Sequence, residues 1–217
     1  MKNIVNIIKY RNQKFVTISF TLLMVLGLTI VSFIYTVQRD SYLNDLSLRV
    51  ENDLYAYAQD FQTQISDASS DIYLIEQIVL TRESFIITDD SVSFINEHEK
   101  NRIQVAFLDW LSVEKVYDQI RIIDLFGQEM VRANYNNGNP EIVSEENLQD
   151  KSGRYYFDNS IILNDNQLYI SKLDLNVENG EIELVNGETK PMLRFSKPLY
   201  NDDNEKIGIL VVNYLEV

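Results

Sequence analysis

Residues 191–215 read PMLRFSKPLYNDDNEKIGILVVNYL, and two apolar runs in them flank a polar one. The apolar runs, at 192–198 and 207–215, are rich in the β-branched and aromatic side chains that favour strands. The polar run at 201–204, Asn-Asp-Asp-Asn, consists of residues that favour turns. The stretch therefore predicts two antiparallel strands joined by a hairpin turn, from which a larger sheet can be built.

Further strand candidates lie upstream of this hairpin. Residues 119–125 (QIRIIDL) and 129–135 (EMVRANY) are separated by a glycine-containing turn, and the second is followed by the turn signal NNGNP at 136–140. Two more candidates are 167–171 (QLYIS) and 181–185 (EIELV). Together the segments predict a mostly antiparallel sheet of five or six strands.

Before the strands the apolar residues recur every three or four positions, which is the stripe of an amphipathic helix. After a break at 88–90, Ser91 can cap a second helix that runs from Phe94 to Leu111, and a short helix is expected at 144–150. Long helices followed by an antiparallel sheet make an α+β fold. The stripe of the first helix consists of Leu43, Leu46, Val50, Leu54, Tyr57, Phe61, Ile65, Ala68, Ile72, Ile75 and Val79.

An uncharged apolar run precedes the amphipathic helix. Residues 15–37, FVTISFTLLMVLGLTIVSFIYTV, would form roughly 34 Å of helix at 1.5 Å per residue, enough to cross a bilayer core of about 30 Å. A cleaved signal peptide would have a shorter apolar core and a small-residue cleavage site, so we expect an uncleaved transmembrane helix. The basic residues before it place the N-terminus in the cytoplasm and the rest outside. These residues are Lys2, Lys9, Arg11 and Lys14.

The charge of the chain limits its partners. Among 217 residues, 19 are Lys or Arg and 33 are Asp or Glu, and all 33 acids follow residue 37. So acidic a surface repels phosphate backbones, which argues against a nucleic-acid partner. The chain has no cysteine, one histidine and neither a nucleophile-elbow nor a phosphate-loop motif, so we expect no enzyme activity, metal site or cofactor in it.

Residues 118–215 resemble the PAS-like, Cache-type extracytoplasmic sensor domains of bacterial histidine kinases and diguanylate cyclases. The segments that carry the resemblance are YDQIRIIDLFGQEMVRANYNNGNP (117–140), LQDKSGRYYFDNSIIL (148–163), LYISKLDLNVENGEIE (168–183) and the hairpin of 191–215. The resemblance implies the input portion of a membrane receptor whose output domain lies outside this sequence. The alternative is a membrane-tethered binding module without a small ligand.

The same resemblance points to a ligand site. In relatives with two Cache lobes, an Arg-x-aromatic-aromatic segment lines the pocket, and Arg154, Tyr155 and Tyr156 are similar to it. Asp174 is similar to the acidic position that pairs with a ligand amine. A guanidinium binds a carboxylate through two parallel hydrogen bonds, so these residues suit an amino acid or small carboxylate. Arg194 is a weaker candidate, because a lone strand arginine points by default to solvent.

A structural reading of Arg154 stays open, in which it pairs with Asp150 or Asp158 while the tyrosines pack on the sheet. The predicted organisation is a cytoplasmic tail (1–14), a transmembrane helix (15–37), a helical stalk (38–116) and a sensor domain (117–217). The apolar stripe of the stalk would be buried against the domain or a second copy of the chain, and we expect a homodimer. Leu46, Val50, Leu54 and Phe61 would form the dimer seam.

Overall fold

A computed structural model describes residues 2–80, 83–89, 91–178, 180–185 and 187–215. The chain forms two units, Met1–Gln62 and Thr63–Val217. Helix α1 spans Lys2–Val79 and supplies the first unit as well as the first helix of the second.

In the first unit, α1 is the one helix among the described residues that is long and apolar enough to cross a membrane. The apolar side chains of residues 15–37 are exposed, as a lipid-facing segment requires. Thr17 and Thr21 donate hydrogen bonds to the carbonyls four residues earlier, and Thr29 to the carbonyl three residues earlier. Such bonds satisfy hydroxyl groups within a helix and would do so in a bilayer.

The second unit is an α+β domain, as the sequence predicts. Its helices after α1 are α2 (Glu97–Val113) and α3 (Tyr155–Ile161), with 3-10 turns at Asn136–Gly138 and Glu145–Asn147. Its strands are β1 (Phe85–Ile87), β2 (Val92–Phe94), β3 (Tyr117–Asp124), β4 (Glu129–Asn134), β5 (Glu141–Ile142), β6 (Tyr169–Ile170), β7 (Asp174–Leu175), β8 (Val177–Glu178), β9 (Glu181–Ile182), β10 (Leu184–Val185), β11 (Glu188–Thr189), β12 (Pro191–Tyr200) and β13 (Lys206–Leu215).

The main sheet has the order β5-β4-β3-β13-β12-β6, with β7 also paired to β12, and every pairing is antiparallel. The hairpin of β12 and β13 lies at its centre, where Phe195 pairs with Val212. The β3–β4 turn needs Gly127, because its φ is +95° and a Cβ there would lie 2.5 Å from Ser152. The antiparallel pairing of β12 and β13 confirms the hairpin predicted at residues 191–215.

One face of the sheet carries the main hydrophobic core. Alternate residues of β3 and β13, such as Ile120, Ile122, Leu210 and Val212, are fully buried against the helices. Helix α2 contributes its own stripe through residues including Phe107. The C-terminal part of α1 packs here through Ala68, Ile72, Ile75 and Val79.

Two sequence predictions about the helices are wrong. Ser91 does not cap α2: its backbone carbonyl accepts from Thr88 in the loop of the β1–β2 hairpin, and Phe94 lies in β2. Asn96 caps α2 instead, since its side-chain oxygen accepts from the Glu99 amide at 3.0 Å. Asp90, part of the predicted break, lies outside the described residues.

Two further predictions are corrected in the second half of the domain. The strand predicted at 181–185 does not join the main sheet, because its residues form two separate hairpins, β8–β9 and β10–β11. The helix predicted at 144–150 is a single 3-10 turn, and the longer helix is α3, which contains Tyr155 and Tyr156.

A buried ion pair joins α1 to the sheet. The ammonium of Lys197, on β12, donates to Glu76, on α1, and both side chains are almost fully buried. The Lys197 nitrogen also lies 4.8 Å from the centroid of the Tyr73 ring. Burial raises the pKa of the Glu76 carboxyl, and the hydrogen bond and charge of Lys197 counteract that rise. The pair therefore fixes one side of α1 to the central hairpin.

Replacing Lys197 by Met should lower the free energy of unfolding by about 3–5 kcal/mol, because it leaves Glu76 buried without its partner. The double variant Glu76→Leu, Lys197→Met should recover most of that loss. Urea unfolding of the full chain in detergent, followed by fluorescence of Trp110, the only tryptophan, measures the change. Lys115→Met, at an exposed position, is the control. A similar loss of stability in Lys197→Met and Lys115→Met would show that the Glu76–Lys197 ion pair does not stabilise the fold.

Candidate functional site

The second face of the sheet is polar, in contrast to the face that binds the helices. Gln119 and Arg121 alternate with the core residues of β3, and Arg132, Arg194 and Asn213 lie on neighbouring strands. All five are buried, although side chains of these types are mostly exposed in globular proteins. Buried polar groups must find partners, so their contacts define what this face can bind.

Helix α3 covers the apolar end of this polar face. Tyr156 and Phe157 pack on Ile123, Ile209 and Val211, which form a second, smaller hydrophobic cluster. In α3 the backbone carbonyl of Arg154 accepts from the amide of Phe157 at 2.9 Å, so the helix begins directly after Arg154. The cluster therefore orients the aromatic pair predicted from the sequence.

Three of the predicted site residues, Tyr156, Asp174 and Arg194, meet at Arg194. Its guanidinium carbon lies 5.1 Å from the centroid of the Tyr156 ring, a cation–π contact. Its Nη1 lies 3.8 Å from the Asp174 carboxylate, and its Nη2 donates to the Asn176 side-chain oxygen at 3.2 Å. Nη1 is buried and makes no hydrogen bond to a described residue. Arg194 thus points into the protein, and the default expectation of a solvent-facing side chain is wrong.

Tyr155 lies next to this group. Its ring is 5.8 Å from that of Tyr156 in an edge-to-face arrangement, and the Lys172 nitrogen lies 5.5 Å from its centroid. The pKa of the Tyr155 hydroxyl is raised, chiefly by burial. Asp174 also raises this pKa, whereas the charge of Arg194 and the neighbouring Ser171 lower it. Tyr155 therefore borders the same cluster as the other three residues.

Arg154 is not part of this cluster. It is half-buried at the start of α3, and its side chain forms no ion pair or hydrogen bond with the residues that the structure describes. The alternative pairing with Asp150 or Asp158 is absent from the same residues, and Asp150 accepts instead from the Ser152 amide at 2.8 Å.

A second group of charges lies beside the first and is linked to it by Asn176. Arg121 and Arg132 stand opposite each other in the register of β3 and β4. Glu129 accepts from Arg121 at 2.7 Å and from Arg132 at 3.1 Å, and its side chain is fully buried. Lys151 is also buried. We call Arg121, Arg132 and Lys151 the basic cluster.

Glu178, on the β8–β9 hairpin, is the carboxylate that contacts all three residues of the basic cluster. Its carboxylate lies 3.0 Å from Arg132, 3.3 Å from Lys151 and 3.5 Å from Arg121. It also accepts from Gln149 at 2.9 Å. The hairpin turns at Gly180, whose φ of +82° suits a glycine.

The charges of this group shift one another's pKa values. Burial would raise the pKa of Glu178, but Arg121, Lys151 and Arg132 outweigh that effect and lower it to about 2. Burial would lower the pKa of Arg121, which Glu129 and other neighbours raise instead. Burial and the charge of Arg121 lower the pKa of Lys151. Opposite charges on this face are therefore strongly coupled.

Sequence reasoning did not identify the basic cluster or Glu178. Arg121 and Arg132 lie in the predicted strands at 119–125 and 129–135, but only the register shows that they face each other. Glu178 lies in one of many acidic segments, and nothing in its local sequence separates it from its solvent-exposed neighbours. Among the described residues no group of acids and histidines could hold a metal ion.

Comparisons with known proteins give a family and a fold. The sequence profile described as "Bacterial histidine kinase, sensor domain" matches residues 56–217. No curated protein matches the chain.

Solved structures share the fold. A domain of a sensory box/GGDEF family protein from Vibrio parahaemolyticus is 20% identical with a TM-score of 0.55, covering 70% of this chain and 55% of that one. The extracellular domain described as that of histidine kinase vpHK1S-Z8 is 21% identical with a TM-score of 0.55, covering 70% and 52%. The ligand-binding domain of the Campylobacter jejuni chemoreceptor Tlp3, in complex with L-norvaline, is 14% identical with a TM-score of 0.50, covering 71% and 52%. This chain spans about half the length of these structures.

The lowered pKa of Glu178 predicts how the free energy of unfolding changes at acid pH. A carboxyl whose pKa falls from its ordinary 4.5 to about 2 on folding stabilises the fold fully above pH 4.5 and progressively less down to pH 2. Wild type should therefore lose up to about 3 kcal/mol more than Glu178→Gln between pH 5 and pH 2. Unfolding by urea at a series of pH values measures this difference.

The matched control for this prediction is Glu181→Gln, which removes an exposed carboxylate from the opposite strand of the same hairpin. It should keep the wild-type pH dependence. Equal acid sensitivity of wild type and Glu178→Gln would show that the basic cluster does not hold Glu178 in solution.

Proposed function

This chain belongs to the family of bacterial histidine kinase sensor domains, and from that premise we propose that it binds a small extracellular ligand as the input portion of a transmembrane receptor. The output of the whole receptor would be a histidine kinase or a diguanylate cyclase. The ligand would be an amino acid or a small carboxylate. It would bind on the polar face of the sheet, beneath α3.

The environment of Arg194 is the observation that carries this proposal. Arg194 is a buried cation with one guanidinium nitrogen, Nη1, that makes no hydrogen bond to a described residue. Such a donor suits a ligand carboxylate, while Asp174, which is partly exposed, suits a ligand amine. Tyr155 and Tyr156 would cover the apolar part of the ligand, and Arg154 would stand at the rim.

The fold similarity to a chemoreceptor domain in complex with L-norvaline supports a ligand of this size and class. An amino acid carries one carboxylate and one amine, which match the charges of Arg194 and Asp174. Asn176 accepts from Arg194 and would let a bound ligand act on the hairpins that follow it.

Signalling would use the two faces of the sheet. Strand β12 carries Arg194 on the ligand face and Lys197 towards α1, where it binds Glu76. A ligand that prefers one arrangement of β12 would thereby bias one arrangement of α1. The bias would pass along α1 towards residues 15–37, the candidate transmembrane helix.

The membrane arrangement is part of the same proposal. The N-terminus would be cytoplasmic and the domain extracytoplasmic, with the chain divided after residues 14, 37 and 116. Receptors would pair as homodimers through the exposed apolar side chains of α1 in the first unit. The residues proposed for this seam are Leu46, Val50, Leu54 and Phe61.

Titration of the full chain in detergent with amino acids and small carboxylates tests the ligand proposal. At least one compound should raise the melting temperature of the wild-type chain, by roughly 5–10 °C at a concentration one hundred times its dissociation constant. Asp174→Asn should weaken binding of an amino acid about tenfold or more, because it removes the charge that faces the amine.

Asp158→Asn is the matched control, because Asp158 is exposed on α3 and lies outside the cluster. It should bind like wild type. The proposal fails if no compound shifts the melting temperature, or if Asp174→Asn and Asp158→Asn have the same effect on the affinity.

A further inference from the structure

The β8–β9 hairpin places a carboxylate of the chain itself inside the basic cluster. Glu178 lies within 3.5 Å of each of the three cations, and amide groups of Gln149 and Asn176 also donate to it, at 2.9 Å and 3.3 Å. Its surroundings are therefore those of a bound anion, built from charges and amides on several strands and loops.

Glu178 leaves some hydrogen-bond donors of the basic cluster without a close acceptor. Only the contacts from Arg132 and Gln149 are as short as 3.0 Å, and those from Lys151 and Arg121 are longer. Nε of Arg121 and Nε of Arg132 are buried and have no hydrogen-bond partner among the described residues. An untethered carboxylate could approach these donors more closely than the tethered Glu178 does.

Charge also favours an anion here. Arg121, Arg132 and Lys151 carry three positive charges, and among the described residues the carboxylates that form ion pairs with them are those of Glu129 and Glu178. The nearby Asp118 is held by Lys190, which is also within 3.6 Å of Glu183. Withdrawal of Glu178 would leave the three buried cations with Glu129 alone, an arrangement that strongly favours uptake of another anion.

Apolar packing contributes little to holding the hairpin in place. Strands β8 and β9 pair only with each other and not with the main sheet. Ile182, on β9, is 50% exposed, and Leu184, at the start of β10, is 57% exposed. Polar contacts of Glu178 and Asn176 therefore hold much of this segment against the sheet.

We propose that the basic cluster is a carboxylate-binding site, which Glu178 fills in the ligand-free chain and which a small carboxylate occupies when the hairpin swings away. The site uses different residues from the Arg194–Asp174 cluster, so the proposal goes beyond the function proposed above. The tethered Glu178 competes with the free ligand and thereby sets the affinity and selects for carboxylates.

The test replaces the tethered carboxylate with a free one. Beyond Cβ, a glutamate side chain is an acetate group, so Glu178→Ala leaves room for acetate at the cluster. Glu178→Ala should lower the melting temperature of the full chain in detergent, and acetate should restore at least half of that loss. Acetate should bind to the variant at least tenfold more tightly than to wild type, because the variant lacks the competitor.

Three controls isolate the charge and the place. Acetamide, a neutral analogue of acetate, and sodium chloride at equal ionic strength should give no recovery. Glu181→Ala, on the exposed side of the same hairpin, should respond to acetate no more than wild type does. Adding Arg132→Gln to Glu178→Ala should remove the response, and Lys151→Gln provides the same test if that double variant does not fold.

Displacement is measured in the wild-type chain. Acetate at a saturating concentration should increase the rate of amide hydrogen exchange in residues 177–182, because the hairpin loses its anchor. The proposal is overturned if acetamide restores stability as well as acetate does, if Arg132→Gln and Lys151→Gln both leave the recovery intact, or if exchange in the hairpin does not change. An amino acid that binds through Asp174 would still shift the melting temperature in each of these cases, so the two proposals fail separately.

Discussion

Two arginines, Arg121 and Arg132, are buried opposite each other on adjacent strands of the sheet, with Lys151 beside them. Buried like charges of this kind persist only where carboxylates pair with them, since removal from water costs several kcal/mol for each ion. Glu129 supplies one partner from β4, and Glu178 supplies the other from a hairpin that the main sheet does not include. The position of the β8–β9 hairpin against the sheet therefore depends on this charge balance.

The division of the sheet into two faces follows from the alternation of side chains along its strands. Ile120 and Ile122 of β3 join the hydrophobic core under α1 and α2, while Gln119 and Arg121 turn to the polar face. The sheet thus presents a polar face and a helix-packing face only a strand's thickness apart. The proposed sensing function would use this arrangement, because a ligand on the polar face would act through the sheet on α1.

The sequence predicts the parts that depend on local patterns. Periodicity and turn residues predict the hairpin of β12 and β13, the strands β3 and β4 and the long apolar helix. The family resemblance predicts Tyr156 and Asp174 as site residues, and both lie beside Arg194. Tertiary contacts decide the rest. A lone strand arginine such as Arg194 is expected at the surface, and only its contact with the Tyr156 ring shows that it points inward. Glu178 has no local feature that distinguishes it from the exposed glutamates of the chain.

A double-mutant cycle between Glu178 and Arg132 tests the central claim most directly, because it measures the coupling between the hairpin and the buried cations. Wild type, Glu178→Gln, Arg132→Gln and the double variant would be unfolded in urea at pH 7. We expect a coupling free energy of about 1–2 kcal/mol, as for paired charges in a mostly buried network. A coupling within about 0.3 kcal/mol of zero would show that Glu178 is not held by the cluster.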